Sequence, residues 1–455
     1  MALLPFDIAK GAGYDSARFS GGALERVETI IVGAGLAGMS TALHLGSDEH
    51  LVLEGAPRAG GLCVTRFEKG YGFDVTGHWL HLRDPDIRQR FGNLVPMEQV
   101  VRKSRILAHG RLIAYPFQSN LKDLPEAVKQ ACLEGAREAH LRRESGAAEP
   151  GRFGDYVLHH FGEGIAREFM FPYNQKLWGV PPNEISHAWC QRFVPVPDYR
   201  QILDGASSDR NERTGYNATF SYPVAGGIGA FTAALEEKVA PAIRYGSRVV
   251  AVHPSERWVE CQDGRRYGYH RLVSTAPLKD LVGMLIGAPP EVSQAGSRLR
   301  AASVTYYDLG VRGRVLAGQH WIYLPAPGLP AYRLGCYSNA MPYMAPEGCS
   351  SLYVELSNGV EIDHEEALSS VLEVLDSLGT TVGREDVEVW RIREIPYAYV
   401  LYDEAYESAR TSVMQWLGGM GISSIGRYGS WVYNSMEDAL VEGRDTALAL
   451  RTQPA

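Results

Sequence analysis

The sequence has 455 residues, more than one simple core accommodates, so two or three domains are expected. Hydrophobic residues at 45% and charged residues at 22% suit a soluble globular enzyme, and a formal charge of -8 argues against a nucleic-acid partner. Such an acidic chain holds an anionic ligand only through local cations, and its apolar runs are too short for a membrane span.

Residues 1–26 read as a flexible or peripheral arm. Their apolar start is broken by Pro5, Asp7 and Lys10, which argues against a secretory signal and for a cytoplasmic chain. From Val27, "VETIIVGAGLAGMSTALHL" runs from an apolar strand through glycines into an alanine-rich helix. Gly33, Gly35 and Gly38 form G-x-G-x-x-G, and a second strand ends at Glu54. This is the dinucleotide-binding fingerprint: the glycines let the backbone approach a pyrophosphate, the helix N-terminus attracts it, and the acid accepts from a ribose hydroxyl. The chemistry after Glu54 favours flavin over nicotinamide, because a second glycine pair, Gly60 and Gly61, follows with Arg58 and Arg66 on either side.

Helical sequence comes next, beginning near Pro125 and continuing through "FGDYVLHHFGEGIAREFMFPYNQKLWG". Adjacent His159 and His160 fall on different helix faces, which suits packing or solvation better than metal ligation. The stretch Val249 to Pro277 alternates like a strand, a hairpin and a buried strand, returning the chain to the cofactor domain. Residues 286–395 alternate like an antiparallel sheet. The six cysteines (63, 132, 190, 261, 336 and 349) have no C-x-x-C pair and no metal-ligand spacing, so they read as reduced thiols and no metal site is expected.

The expected fold class is therefore α/β, with a discontinuous Rossmann-like FAD domain, a helical insertion and an antiparallel substrate sheet. The expected bounds are 27–95, 225–285 and 396–452 for the FAD domain, and 118–190 for the helical domain. The substrate sheet would take 96–117, 191–224 and 286–395. Near the C-terminus "GRYGSWVY" sets Arg427 among glycines and aromatics, with no acid close enough for a local helical ion pair.

Several segments in this order resemble the FAD-dependent UDP-galactopyranose mutases, closer to the eukaryotic-type branch than to the short bacterial one. They are "GFDVTGHWLH" (72–81), "YPFQSN" (115–120), "PYNQKLWGVPPNEISHAWCQRF" (172–193), "GYNATFSYPVAGGIGAF" (215–231), "HWIYLPAPGLPAYRLGCYSNAMPY" (320–343), "IPYAYVLYD" (395–403) and "GRYGSWVYNSMEDA" (426–439). The resemblance implies that His78 lies against the flavin near its reactive nitrogen. It implies that Tyr115, Phe117, Gln118, Asn174, Trp321 and Tyr323 hold the uridine. Arg192, Arg333, Tyr399, Arg427 and Tyr433 would surround the diphosphate and sugar, with Asn217 and Trp178 nearby. Leu62, Val249 and Met436 would join Gly33, Gly35, Gly38, Glu54, Arg58 and Gly61 at the cofactor. Three guanidiniums suit a diphosphate, because planar forked donors meet phosphate oxygens in pairs.

The activity so implied is a redox-neutral contraction of a pyranose to a furanose on a UDP-sugar. Reduced flavin acts as the covalent nucleophile at the anomeric carbon, and NAD(P)H or a reductase is an external electron source. Two residues depart from the pattern: Ala340 stands where a tyrosine is typical, and Glu437 where an asparagine is typical. Both bear on the sugar. The competing reading is a flavin amine oxidase or protoporphyrinogen-oxidase-like dehydrogenase, which needs no arginine trio. A silent FAD-bearing scaffold would have lost the cluster.

Overall fold

The computed structural model describes residues 24–46, 49–190, 193–208, 218–359 and 361–452. Most of the expected arm, together with Arg192 and Asn217, lies outside the described residues. The fold is mixed α/β, built on two seven-stranded sheets. The first strand, Glu25–Val32, starts earlier than its apolar run because Glu25 and Arg26 pair with Tyr267 and Gly268.

Glu25–Val32 is the centre of the first sheet, parallel to His50–Leu53 on one side and to Arg266–Ser274 on the other. Register brings Val32 level with both Leu53 and Ser274. Three strands therefore end at one crevice, the position where open parallel sheets bind their ligands. Ile243–Arg244 and Ile422–Ser424 extend the parallel part, and Val249–His253 with Trp258–Cys261 adds an antiparallel meander. These strands come from widely separated stretches of chain.

The helix Leu36–Leu45 leaves the crevice and is covered by the last helix, Met436–Thr452. Contact is backbone-close: Ser40 Oγ donates to the Leu440 carbonyl at 2.7 Å, and a Cβ on Gly443 would lie 2.5 Å from the Ala37 carbonyl oxygen. Gly443→Ala therefore pushes the two helices apart and is expected to destabilise the fold by about 1–3 kcal/mol. The check is a lower Tm together with weaker flavin retention.

The second sheet runs Val387–Val400, Ala301–Arg312, Cys349–Leu356, Ala331–Cys336, Trp321–Tyr323, Ser104–Ala108 and Arg111–Ala114. All neighbours are antiparallel except Trp321–Tyr323 with Ser104–Ala108. The helix His364–Ser377 closes one face, with its first amides capped by the Asp363 carboxylate. Residues 286–395 thus hold helices, Pro290–Arg298 among them, as well as the expected strands. Met97–Val101 and Thr219–Pro223 form a separate antiparallel pair, and Ser221 of the latter also bridges to Leu80.

The helical part packs Glu126–Glu144 against Phe153–Ile165 through glycines. A Cβ on Gly162 would sit 2.0 Å from the Gly135 carbonyl oxygen, so only glycine allows this approach. A π turn, Ala166–Met170, leads into the helix Phe171–Trp178. His160 packs 4.2 Å from the Tyr156 ring, as its helix position suggested.

Candidate active site

The strand ends at the crevice build a cofactor cradle from the backbone outward. Gly33 has φ +96°, and a Cβ there would lie 2.3 Å from Thr275 Oγ1. A Cβ on Gly38 would lie 2.0 Å from the Gly33 carbonyl oxygen. Gly35 differs: nothing lies within 4 Å of its Cβ position, and it offers no side-chain cap to the helix it begins. The first-turn amides of Leu36–Leu45 thus meet an open cradle, which fits a dinucleotide phosphate.

The Glu54 carboxylate closes the rim, accepting from the Ala34 and Ala56 amides, each at 2.7 Å. Its remaining lone pairs still suit a ribose hydroxyl. The second glycine pair folds back over the first, with the Gly60 amide donating to the Ala34 carbonyl at 2.9 Å and the Gly61 Cβ position 3.5 Å from Gly35 Cα. Arg58 is exposed, and Leu62 is half-buried beside a small apolar cluster. Val249 is buried in the meander, and Met436 opens the last helix. Arg66 turns elsewhere, donating to Tyr306 and pairing with buried Asp308. The residues present fit a flavin dinucleotide.

His78 sits just past the hairpin Thr65–Glu68/Tyr71–Asp74. Tyr337 holds this loop by donating to the Asp74 and Thr76 carbonyls at 3.1 and 2.8 Å. The His78 Nδ1 lies 2.5 Å from the Val75 carbonyl, which fixes the proton there and leaves Nε2 as an acceptor. Burial, with Arg427 and Arg333 close by, pushes the ring down to about 4, so it is neutral at pH 7.

Arg427 and Arg333 both approach His78 and Tyr399, but their environments differ. Arg427 donates to the Asn434 and Ala398 carbonyls and pairs with no carboxylate among the described residues. Its guanidinium stands 4.7 Å from the Tyr433 ring centre and 5.6 Å from that of Tyr399. The loop carrying it is organised by Glu442, which accepts from the Gly426 amide, Ser430 Oγ and Asn434 Nδ2. Arg333 instead forms a two-point ion pair with Glu355, whose side chain is 2% exposed. Glu355 thus already balances Arg333, and only part of that fork is left to meet a ligand, while Arg192 lies outside the described residues.

The aromatic residues form a continuous wall. Tyr115 stacks on Tyr323 at 5.0 Å and lies under the Arg102 guanidinium at 4.8 Å. Tyr173 meets Tyr323 edge-on, and Phe169 links Tyr173 to Phe117. Trp178 packs edge-on against Tyr399 and Tyr433, and Trp321 stacks with Trp79. Phe117 has no exposed surface and serves as core behind the wall, which its apolar side chain explains. Gln118 Nε2 is committed to the Pro195 carbonyl at 2.6 Å, and Asn174 Nδ2 to the Met170 carbonyl at 2.7 Å. Each keeps its amide oxygen for other partners.

Glu437 has backbone partners. It accepts from the Arg83 and Asp84 amides, the latter at 2.7 Å. Asp438 takes the Ser435 amide and hydroxyl as an ordinary first-turn acid. Ala340 ends a short helix, half-buried against the core. Sequence reasoning missed Glu355, Glu442 and Asp74. Burial pushes the Asp74 carboxyl up to about 7 despite hydrogen bonds from Thr65 and Tyr222. No described helix is long and apolar enough to cross a membrane.

The family described as flavin containing amine oxidoreductase matches residues 36–450. Among solved structures, a reduced UDP-galactopyranose mutase is 27% identical with a TM-score of 0.85, over 94% of this chain and 95% of that one. A putative protoporphyrinogen oxidase from Exiguobacterium is 15% identical with a TM-score of 0.71, over 94% and 99%. Putrescine oxidase bound to putrescine is 15% identical with a TM-score of 0.62, again over 94% and 99%. At 15% identity the last two likenesses speak for the fold alone.

Proposed function

The chain belongs to the flavin-containing amine oxidoreductase family, and we propose that it is a nucleotide-sugar mutase interconverting pyranose and furanose forms of a UDP-sugar. In this reading the cofactor is FAD in its reduced state, kept so by NAD(P)H or a reductase in the cytoplasm. On the sequence resemblance the enzyme is closer to the eukaryotic-type branch than to the short bacterial one. The observation that carries the reading is Arg427, a guanidinium with no carboxylate partner among the described residues, set against Tyr399 and Tyr433. An unbalanced cation in a half-buried site calls for an anion. The likeness at 27% identity to a UDP-galactopyranose mutase supports a nucleotide diphosphate as that anion.

Reduced flavin, when bound, supplies an electron-rich nitrogen for the anomeric carbon. The chain's own residues do the rest. Arg427 takes the diphosphate charge as the sugar–phosphate bond breaks and holds the group in place for its return. Arg333 offers the donors that Glu355 leaves over. Burial keeps the Tyr399 phenol protonated, so it donates to phosphate or sugar oxygens as a neutral group. His78, neutral with its Nε2 lone pair free of the Val75 contact, can accept from a sugar hydroxyl. Tyr115 and Tyr323 supply a stacking surface for uracil, with Trp321, Gln118 and Asn174 behind it. Arg192 and Asn217 join on the strength of the sequence resemblance.

The second reading, an amine-oxidase-like dehydrogenase, gains from the Arg333–Glu355 pair, which leaves the site less cationic than a trio of free arginines. The two are separated by electron counting. Protein reduced with dithionite and given a panel of UDP-sugars is expected to yield isomerised product far beyond the electrons supplied, read by chromatography. Acceptor consumption in proportion to substrate, starting from oxidised flavin and without any ring-isomerised product, would falsify the mutase.

The cofactor makes its own prediction. No cysteine or histidine sits in a recognisable attachment motif, so acid precipitation is expected to release all flavin into the supernatant. Flavin retained in the pellet would contradict a non-covalent site.

A further inference from the structure

The helix Phe171–Trp178 bears Asn174 and Trp178 and also Lys176, a buried lysine for which the reaction has no direct use. Among the described residues the Lys176 side chain has carbonyl partners: Nζ donates to Leu324 at 2.9 Å and to Ala331 at 3.0 Å. Leu324 follows the strand Trp321–Tyr323, and Ala331 opens the strand Ala331–Cys336. One amino group therefore ties the helix to both arms of the hairpin that presents Trp321, Tyr323 and Arg333.

A third element meets them there. Asn358 donates its amide to the Lys176 carbonyl at 3.0 Å and its Nδ2 to the Leu177 carbonyl at 2.9 Å. The Ser357 amide reaches the Pro330 carbonyl at 2.7 Å. Both residues directly follow Cys349–Leu356, the strand that holds Glu355. A cavity of about 580 Å³ lies against this junction, lined by Lys176, Gly179, Pro330 and Asn358 among others. Polar contacts around one lysine amino group, rather than apolar packing alone, hold the three elements in register.

We infer that Lys176 is a positioning residue of the nucleotide site, setting the spacing between the helix with Asn174 and Trp178 and the hairpin with Tyr323 and Arg333. The inference rests on the UDP-sugar reading above. A methionine of similar length would fill the space while leaving both buried carbonyls without a donor. Only a donor on a long, straight side chain spans the helix and both hairpin arms.

The test titrates flavin-loaded protein with UDP, comparing wild type with Lys176→Met, Lys176→Arg and Leu368→Ala. Leu368 is buried in the core beneath the same sheet and serves as a control for lost stability alone. Lys176→Met is expected to keep its flavin and bind UDP about tenfold more weakly or worse, with Lys176→Arg intermediate. Leu368→Ala is expected to lose Tm with UDP affinity unchanged. Wild-type UDP affinity in whichever lysine variant folds, or an equal affinity loss in Leu368→Ala, overturns the inference. Failure of wild type itself to bind UDP would instead overturn the UDP-sugar reading, and this inference with it.

Discussion

Arg427→Ala is expected to lose UDP affinity by about one to two orders of magnitude while retaining flavin, because a charge-assisted hydrogen bond is worth roughly 1.5–3 kcal/mol. The loss is large because no neighbouring carboxylate among the described residues shares the charge: removing the side chain removes the positive potential as well as the donors. The side chain also supports its own loop through the Asn434 and Ala398 carbonyls, so the alanine variant alone mixes two effects. Arg427→Lys separates them. It keeps the charge but not the fork, and so should preserve flavin content while binding UDP several-fold more weakly. Unchanged UDP affinity in both variants would move the diphosphate away from Arg427.

The same arginine shows what the sequence made legible. The cofactor crevice was readable because its logic is local: Gly33, Gly35, Gly38 and Glu54 lie within one strand–helix–strand unit, and spacing alone sets their geometry. Arg427 was readable as an oddity, since no acid lay near it in sequence. The reason it is held where it is was not readable, because Glu442 lies on a later helix and reaches back to cap the loop. Arg333 illustrates the opposite failure. Its neutralising partner faces it directly across an antiparallel ladder, Arg333 opposite Glu355, at a sequence separation that carries no periodic signal. Phe117 and Glu437 fall in the same class, since core or backbone demands on a side chain arise only from tertiary packing.

That ladder pair gives the second large effect. Glu355→Ala leaves a guanidinium buried without its counter-charge, and Arg333→Ala leaves the carboxylate so; removing one member of such a pair destabilises by about 3–5 kcal/mol. Either single variant is therefore expected to lower Tm sharply, and its weaker UDP binding would not by itself prove a ligand contact. The double variant Arg333→Met/Glu355→Met resolves this. Apolar side chains of similar size can replace a buried ion pair with little loss of stability, so Tm should return close to wild type. UDP affinity should not return, because the donors that Glu355 leaves over have gone with the guanidinium. Recovery of both properties would make the pair purely structural and leave Arg427 as the cation that defines the site. Recovery of neither would show that the pair is irreplaceable in the sheet itself.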